Sequence, residues 1–201
     1  MAPIQGTDAI VTGKPRSYTG GFMVGKAGTP VPMPGPAAFA PLDEAMKRMG
    51  YVGPDGFTKN SEASDEDEYA WGGVVVNTVR TEFGVTYELE VRETANYDTL
   101  VGIFGEDNVI QDEVNNVLTV KTNANMAPRQ VVVFEMLDRK LGHREVIPNA
   151  QILASGEQTF AHGASTTIPI TIKAYPDQAT QDNAWNMKQT EAGAATGTQG
   201  G

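Results

Sequence analysis

The segment Gly20-Gly21-Phe22-Met23-Val24-Gly25-Lys26 has the glycine and lysine spacing of a loop that cradles nucleotide phosphates. The next position of that motif needs a hydroxyl for magnesium, and here it is Ala27. Such a loop also opens a helix, which Gly28, Pro30 and Pro32 forbid, so the segment reads as a glycine-broken strand. Asp65-Glu66-Asp67-Glu68 sets four carboxylates in a row. Counted from Asp65, a calcium loop would need glycine at its sixth position and glutamate at its twelfth. Ala70 and Val76 stand there, and the run reads as a solvated acidic loop. His143 and His162 lack metalloprotease spacing, no Gly-x-Ser-x-Gly elbow offers a nucleophile, and both histidines are expected on surface turns. The chain has no cysteine, which removes disulfides, thiol nucleophiles, Cys-based zinc sites and iron–sulfur clusters. No set of residues supplies nucleophile, base and stabiliser together, so the expectation is a non-enzyme with no catalytic residues, no cofactor and no metal.

Charge and length narrow the class further. The 201 residues carry 15 Lys+Arg against 25 Asp+Glu, a net charge of −10. Proteins that hold the phosphate backbone place cations on it, so this balance argues against a nucleic-acid clamp. No run approaches the roughly 18 apolar residues of a membrane helix, and the first residues lack an apolar signal core. The chain is expected to be soluble, not exported through a signal peptide, and free of membrane contact.

The elements that must position any functional residue are mostly strands. Val85, Tyr87, Leu89 and Val91 alternate with polar residues, as a half-buried strand does. Ile168, Ile170 and Ile172 repeat the pattern, and Pro169 among them predicts an edge strand or a bulge. Residues 131–134 are continuously apolar and suit a strand covered on both faces. Further strands are expected at residues 18–24, 57–61, 69–71, 74–79, 117–122 and 144–153, with Gly53-Pro54-Asp55-Gly56 as a hairpin turn. Apolar spacing predicts helices over residues 42–49 and 97–104, the second capped by Asn96 and closed by Gly105. Prolines 30, 32, 34, 36 and 41 make residues 28–41 an extended surface segment, and the Ala/Gly/Thr/Gln-rich residues 178–201 read as a frayed tail. One domain, about residues 17–177, remains.

The order of these pieces carries a resemblance. Residues 50–58 (Gly-Tyr-Val-Gly-Pro-Asp-Gly-Phe-Thr), the acidic run from Asp65 to Glu68 and Ala70-Trp71-Gly72-Gly73 follow one another. After them come the alternating strand at 81–93, the helix ending Ile103-Phe104-Gly105, and a late strand closing on Tyr175-Pro176-Asp177. Together they resemble the major tail tube proteins of long-tailed, siphovirus-type bacteriophages with non-contractile tails. The Asp-Gly to Trp-Gly-Gly block is the specific part.

The resemblance implies two packed antiparallel sheets, a β-sandwich with one or two short flanking helices. Its strands would join a ring-wide β-barrel on assembly. It implies a structural subunit of homohexameric rings stacked into a channel for genome delivery through the host envelope. Partners would be other copies of itself and the tape-measure, tail-terminator and distal tail proteins, with double-stranded DNA passing unbound. The protein would reside in the virion tail, and in the host cytoplasm before assembly. On this reading residues 1–36 are an N-terminal arm and extended assembly segment, 37–177 the tail-tube domain and 178–201 a flexible tail. Residues 55–71 would be a long inter-ring loop, with Asp55, Gly56, Phe57, Asp65, Glu66, Asp67, Glu68 and Trp71 as subunit contacts. Six copies at −10 each bring about −60 to a ring, and an acid-lined channel would repel phosphate. The alternative is a monomeric β-sandwich module that binds carbohydrate or a receptor on a virion or cell surface.

Overall fold

Ten strands and one α-helix follow one another along the chain in the computed structural model, which describes residues 11–17, 21–138, 141–163 and 165–190. The strands are β1 (Phe22–Lys26), β2 (Lys47–Arg48), β3 (Val52–Tyr69), β4 (Val75–Val91), β5 (Val109–Asp112), β6 (Val117–Val120), β7 (Gln130–Asp138), β8 (Leu141–Ala154), β9 (Ile168–Ala174) and β10 (Trp185–Thr190). Helix α1 (Tyr97–Phe104) lies between β4 and β5. An eight-stranded antiparallel sheet runs β2-β1-β7-β8-β9-β4-β3, with β10 on the free part of β8, and β5-β6 forms a second, two-stranded sheet. The fold is therefore mostly β with a flanking helix, as the alternation of apolar residues led us to expect, and has two antiparallel sheets, as the resemblance implied.

The large sheet bends until its two ends face each other. Phe57 of β3 stacks on Phe134 of β7, and Tyr87 and Phe22 pack against the same ring. Val85, Tyr87, Leu89 and Val91 of β4 line the resulting core side by side with Ile168, Ile170 and Ile172 of β9 and with Ile147 and Ile152 of β8. Each such side chain contributes about 1.5–3 kcal/mol by leaving water. Residues 131–134 behave as a strand covered on both faces. Val132 and Phe134 enter this core, while Val131 and Val133 enter a second cluster with Met23, Met46, Trp185 and Met187. The proline-rich segment supplies the lid of that second cluster through Val31, Ala38, Phe39 and Leu42. Arg144, almost fully buried, holds the lid down by donating to the carbonyls of Ala38 and Ala40, each at 2.9 Å, and to the Glu135 carboxylate.

Several expectations are corrected. Residues 42–49 are not a helix, because Asp43 turns the chain by accepting from the Ala45 amide and Lys47–Arg48 then pairs with β1. A segment this short has little intrinsic helicity, and its methionines serve better on two sides of the sheet, Met46 in the second cluster and Met49 in the first. Pro169 does not mark an edge: β9 pairs with both β4 and β8. Its missing amide falls on the β8 side just where β8 ends, and its carbonyl accepts from Ser155. The frayed-tail reading fails for Trp185–Thr190, which pairs with Val146 through Leu141 of β8 and buries Trp185 and Met187; residues 191–201 lie outside the described residues. Likewise β1 belongs to the main sheet, with residues 22–25 buried in it and Lys26 exposed; residues 1–10 and 18–20 lie outside the described residues. The helix over Tyr97–Phe104 forms as expected, with Asn96 accepting from the Thr99 amide and Gly105 closing it.

Candidate assembly surface

Strands β3 and β4 form one antiparallel hairpin from Val52↔Val91 to Tyr69↔Val75. Only its base is in the domain, where β4 pairs with β9 from Val85 to Val91. Beyond that, residues 58–84 are exposed throughout. At strand rise, the ribbon from Val85 to its turn projects about 35 Å from the last residue that β9 supports. The Ala70 amide donates to the Val74 carbonyl at 2.8 Å, and the Gly73 amide to the Ala70 carbonyl at 3.0 Å. Between them Gly72 (φ 111°) and Gly73 (φ 82°) take backbone conformations open to glycine, which leaves Trp71 standing out from the tip at 108% exposure.

The cross-strand register divides the ribbon into two faces. On the face continuous with the core, Asp65 accepts from Arg80 through both carboxylate oxygens, at 2.8 and 3.3 Å, and Asp67 accepts from Thr78 at 2.7 Å. The guanidinium holds the exposed Asp65 carboxyl below its ordinary range through that hydrogen bond. The opposite face gathers Glu62, Glu66 and Glu68 of β3 with Glu82, Glu88 and Glu90 of β4, all exposed. Lys173 of β9, opposite Thr86, is the cation the register adds to it. Towards the tip, acid gives way to apolar surface: Tyr69, Trp71, Val74, Val75 and Val76 are all well exposed, and Val79 and Phe83 add exposed apolar side chains further down the shaft. An exposed apolar head on an anionic shaft is the kind of surface that makes this hairpin the candidate for contact with a partner.

A buried carboxylate fastens the ribbon at its root. Glu145 of β8, 1% exposed, accepts from Lys59 of β3, from the Tyr87 hydroxyl of β4 at 2.6 Å and from Asn186 of β10 at 2.6 Å. Burial, and then the bond to Glu145, push the Tyr87 phenol well above its ordinary range. His143 lies beside this group with its Nε2 buried and unbonded; desolvation lowers its pKa against the opposing pull of Glu145. His143 is thus a half-buried strand residue and not a surface turn residue, because β10, unforeseen in the sequence, covers it.

The structure places the eight expected contact residues in one hairpin, but not as a loop. Gly53-Pro54-Asp55-Gly56 is a bulge within β3, where the register shifts between Val52 and Phe57, and it does not reverse the chain. Asp55 is exposed there, Gly56 has φ 68°, and Phe57 points into the chain's own core. The run from Asp65 to Glu68 is strand, so its carboxylates alternate between faces and do not converge on one cation. Residues Phe22–Lys26 of the P-loop-like segment form β1, where a Cβ on Gly25 would come within 2.5 Å of the Met46 sulfur. Sequence reasoning split the hairpin into four short strands and missed both the glutamate face and the Glu145 anchor. Its signal was two long proline-free stretches, residues 55–69 and 75–91, meeting at Trp71-Gly72-Gly73, with the alternation of Val85 to Val91 at the end of the second.

These features define a mostly β domain that presents a long exposed hairpin. The chain belongs to the phage tail tube protein family, whose model matches residues 8–197, and it is a structural component of the phage tail. Among solved structures it is similar to a tube-terminating cap from an anti-feeding prophage, determined by electron cryomicroscopy. The two share 8% identity at a TM-score of 0.43, over 90% of this chain and 94% of that one. No curated protein matches the sequence.

Proposed function

We propose that this protein is the repeating subunit of the tail tube, closing into hexameric rings that stack into the channel for genome delivery through the host envelope. The observation that carries this reading is the β3–β4 ribbon, with its exposed apolar tip and an 18-residue edge strand whose outer side is open among the described residues. Sheet edges left open invite pairing, and closing them between copies removes that liability while building a barrel wall. A head-to-tail contact along the tube axis does not close on itself, and so propagates as a filament.

The root part of the glutamate face, Glu62, Glu82, Glu88 and Glu90, is assigned to the lumen. Six copies of it would surround DNA with carboxylates, and phosphate would pass without adhering. The exposed contact set is Asp55, Gly56, Asp65, Glu66, Asp67, Glu68 and Trp71, and Phe57 fixes the angle at which the ribbon leaves the domain. The tape-measure, tail-terminator and distal tail proteins are the heterologous partners, the tail is long and non-contractile, and the subunit waits in the host cytoplasm before assembly. Size-exclusion chromatography with negative-stain microscopy tests the proposal. Rings or tubes of uniform width are expected, and a strictly monomeric species at all concentrations would overturn it.

A further inference from the structure

On the proposed tube reading the ribbon tip of one subunit must be received by another, and one surface of the fold fits it. An open groove of about 640 Å³ lies between β1, the residues leading into β2 and helix α1. Val24, Met49, Val101 and Pro128 make its apolar walls, and Lys26, Lys47 and Arg129 bring three cations to it against Asp98 and Glu106. Lys26 is engaged by Glu106 at 2.8 Å, whereas Lys47 makes no ion pair among the described residues. Gln130 forms part of the lining, is 6% exposed, and donates to the Gly102 carbonyl while its Oε1 has no donor. The groove therefore offers apolar walls, an uncompensated cation and a buried acceptor short of a donor.

The ribbon tip is the complement in each respect. Trp71 and Val74 are apolar and fully or largely exposed, and the indole N–H of Trp71 is a donor. Glu66 and Glu68 sit just behind the tip on one face, and neither makes an ion pair among the described residues. We propose that Trp71 of one copy seats in the groove beneath Lys47 of a second copy, with its indole N–H directed towards Gln130 and with Glu66 and Glu68 beside Lys47. Burying an aromatic anchor inside a ring of charged contacts is the usual form of a binding hot spot. Because donor and acceptor surfaces lie on different parts of the chain, the contact is head-to-tail, and each copy can both give a tip and receive one.

The absence of native cysteine makes the test clean. A full-length chain carrying Ala70→Cys and Ala45→Cys places one thiol beside Trp71 and one on the groove. Oxidation during assembly should give a ladder of disulfide-linked species beyond the dimer on a non-reducing gel, absent from either single variant. Tubes visible by microscopy without that ladder would overturn the groove assignment and leave the tube reading standing. A monodisperse monomer would overturn both. Should the double variant fail to fold, the unmodified chain serves: mixed light and heavy copies are assembled and treated with a zero-length carboxyl–amine cross-linker. Peptides joining Glu66 or Glu68 to Lys47 across isotopes are expected, and ribbon peptides joined elsewhere would refute the seat.

Discussion

The rings of Phe57 and Phe134 stack with their centroids 4.1 Å apart, although β8, β9 and β4 intervene between their strands in the sheet order. Flat, those strands would lie about 19 Å apart at ordinary strand spacing. The contact exists because the sheet folds back on itself, and it fixes the direction in which the ribbon departs. Phe57→Ala should cost about 3 kcal/mol, read by denaturant unfolding, and reduce assembly even where the domain stays folded.

The ribbon can be separated from the domain only beyond its root. Joining Ala63 to Phe83 through an Asn-Gly turn should preserve the melting temperature and abolish tubes, since those residues are paired and the removed part is wholly exposed. Excising all of residues 55–71 should instead unfold the domain, because Phe57 and Lys59 leave with it. Circular dichroism and microscopy on the two variants distinguish the cases.

Glu145 is the acceptor for three donors from three strands. Glu145→Ala should destabilise the protein by about 3 kcal/mol, since it strands the Tyr87 hydroxyl and the Lys59 ammonium near the core. Thermal unfolding measures the loss.

His143 makes stability depend on pH. Its folded pKa lies below the ordinary 6.5, so the unfolded chain takes up the proton first. Stability should fall as pH drops below about 6.5 and level off once the folded state also protonates. Glu145 facing the ring favours its charged form, while Lys188 and Lys59 oppose it. His143→Gln should flatten that part of the stability curve, as followed by melting temperature between pH 7 and pH 5.

Trp185 and Met187 tie β10 to the sheet. Cutting the chain after Asp182 should cost at least the about 3–5 kcal/mol of losing a buried tryptophan, and expose β8 to uncontrolled pairing. Chemical denaturation and light scattering read the two effects. An unchanged midpoint would mean that β10 contributes nothing.

Local chemistry written in the sequence determined a good deal. The alternation of Val85, Tyr87, Leu89 and Val91, the doubly covered run at residues 131–134, and the Asn96 cap with Gly105 all specify elements from nearest neighbours, and all formed. The block around Trp71-Gly72-Gly73 pointed to a phage tail tube, and the family match agrees. What only the tertiary structure decided depends on partners distant in sequence. Residues 42–49 exchanged a marginal helix for pairing with β1, and Pro169 sat in a central strand because β8 stops beside it. A polar tail gained a strand by burying two side chains against β8. The excess acid, visible from the start as a net charge of −10, acquired a direction only from register. Strand pairing places six glutamates on one face of a ribbon, all of them exposed among the described residues.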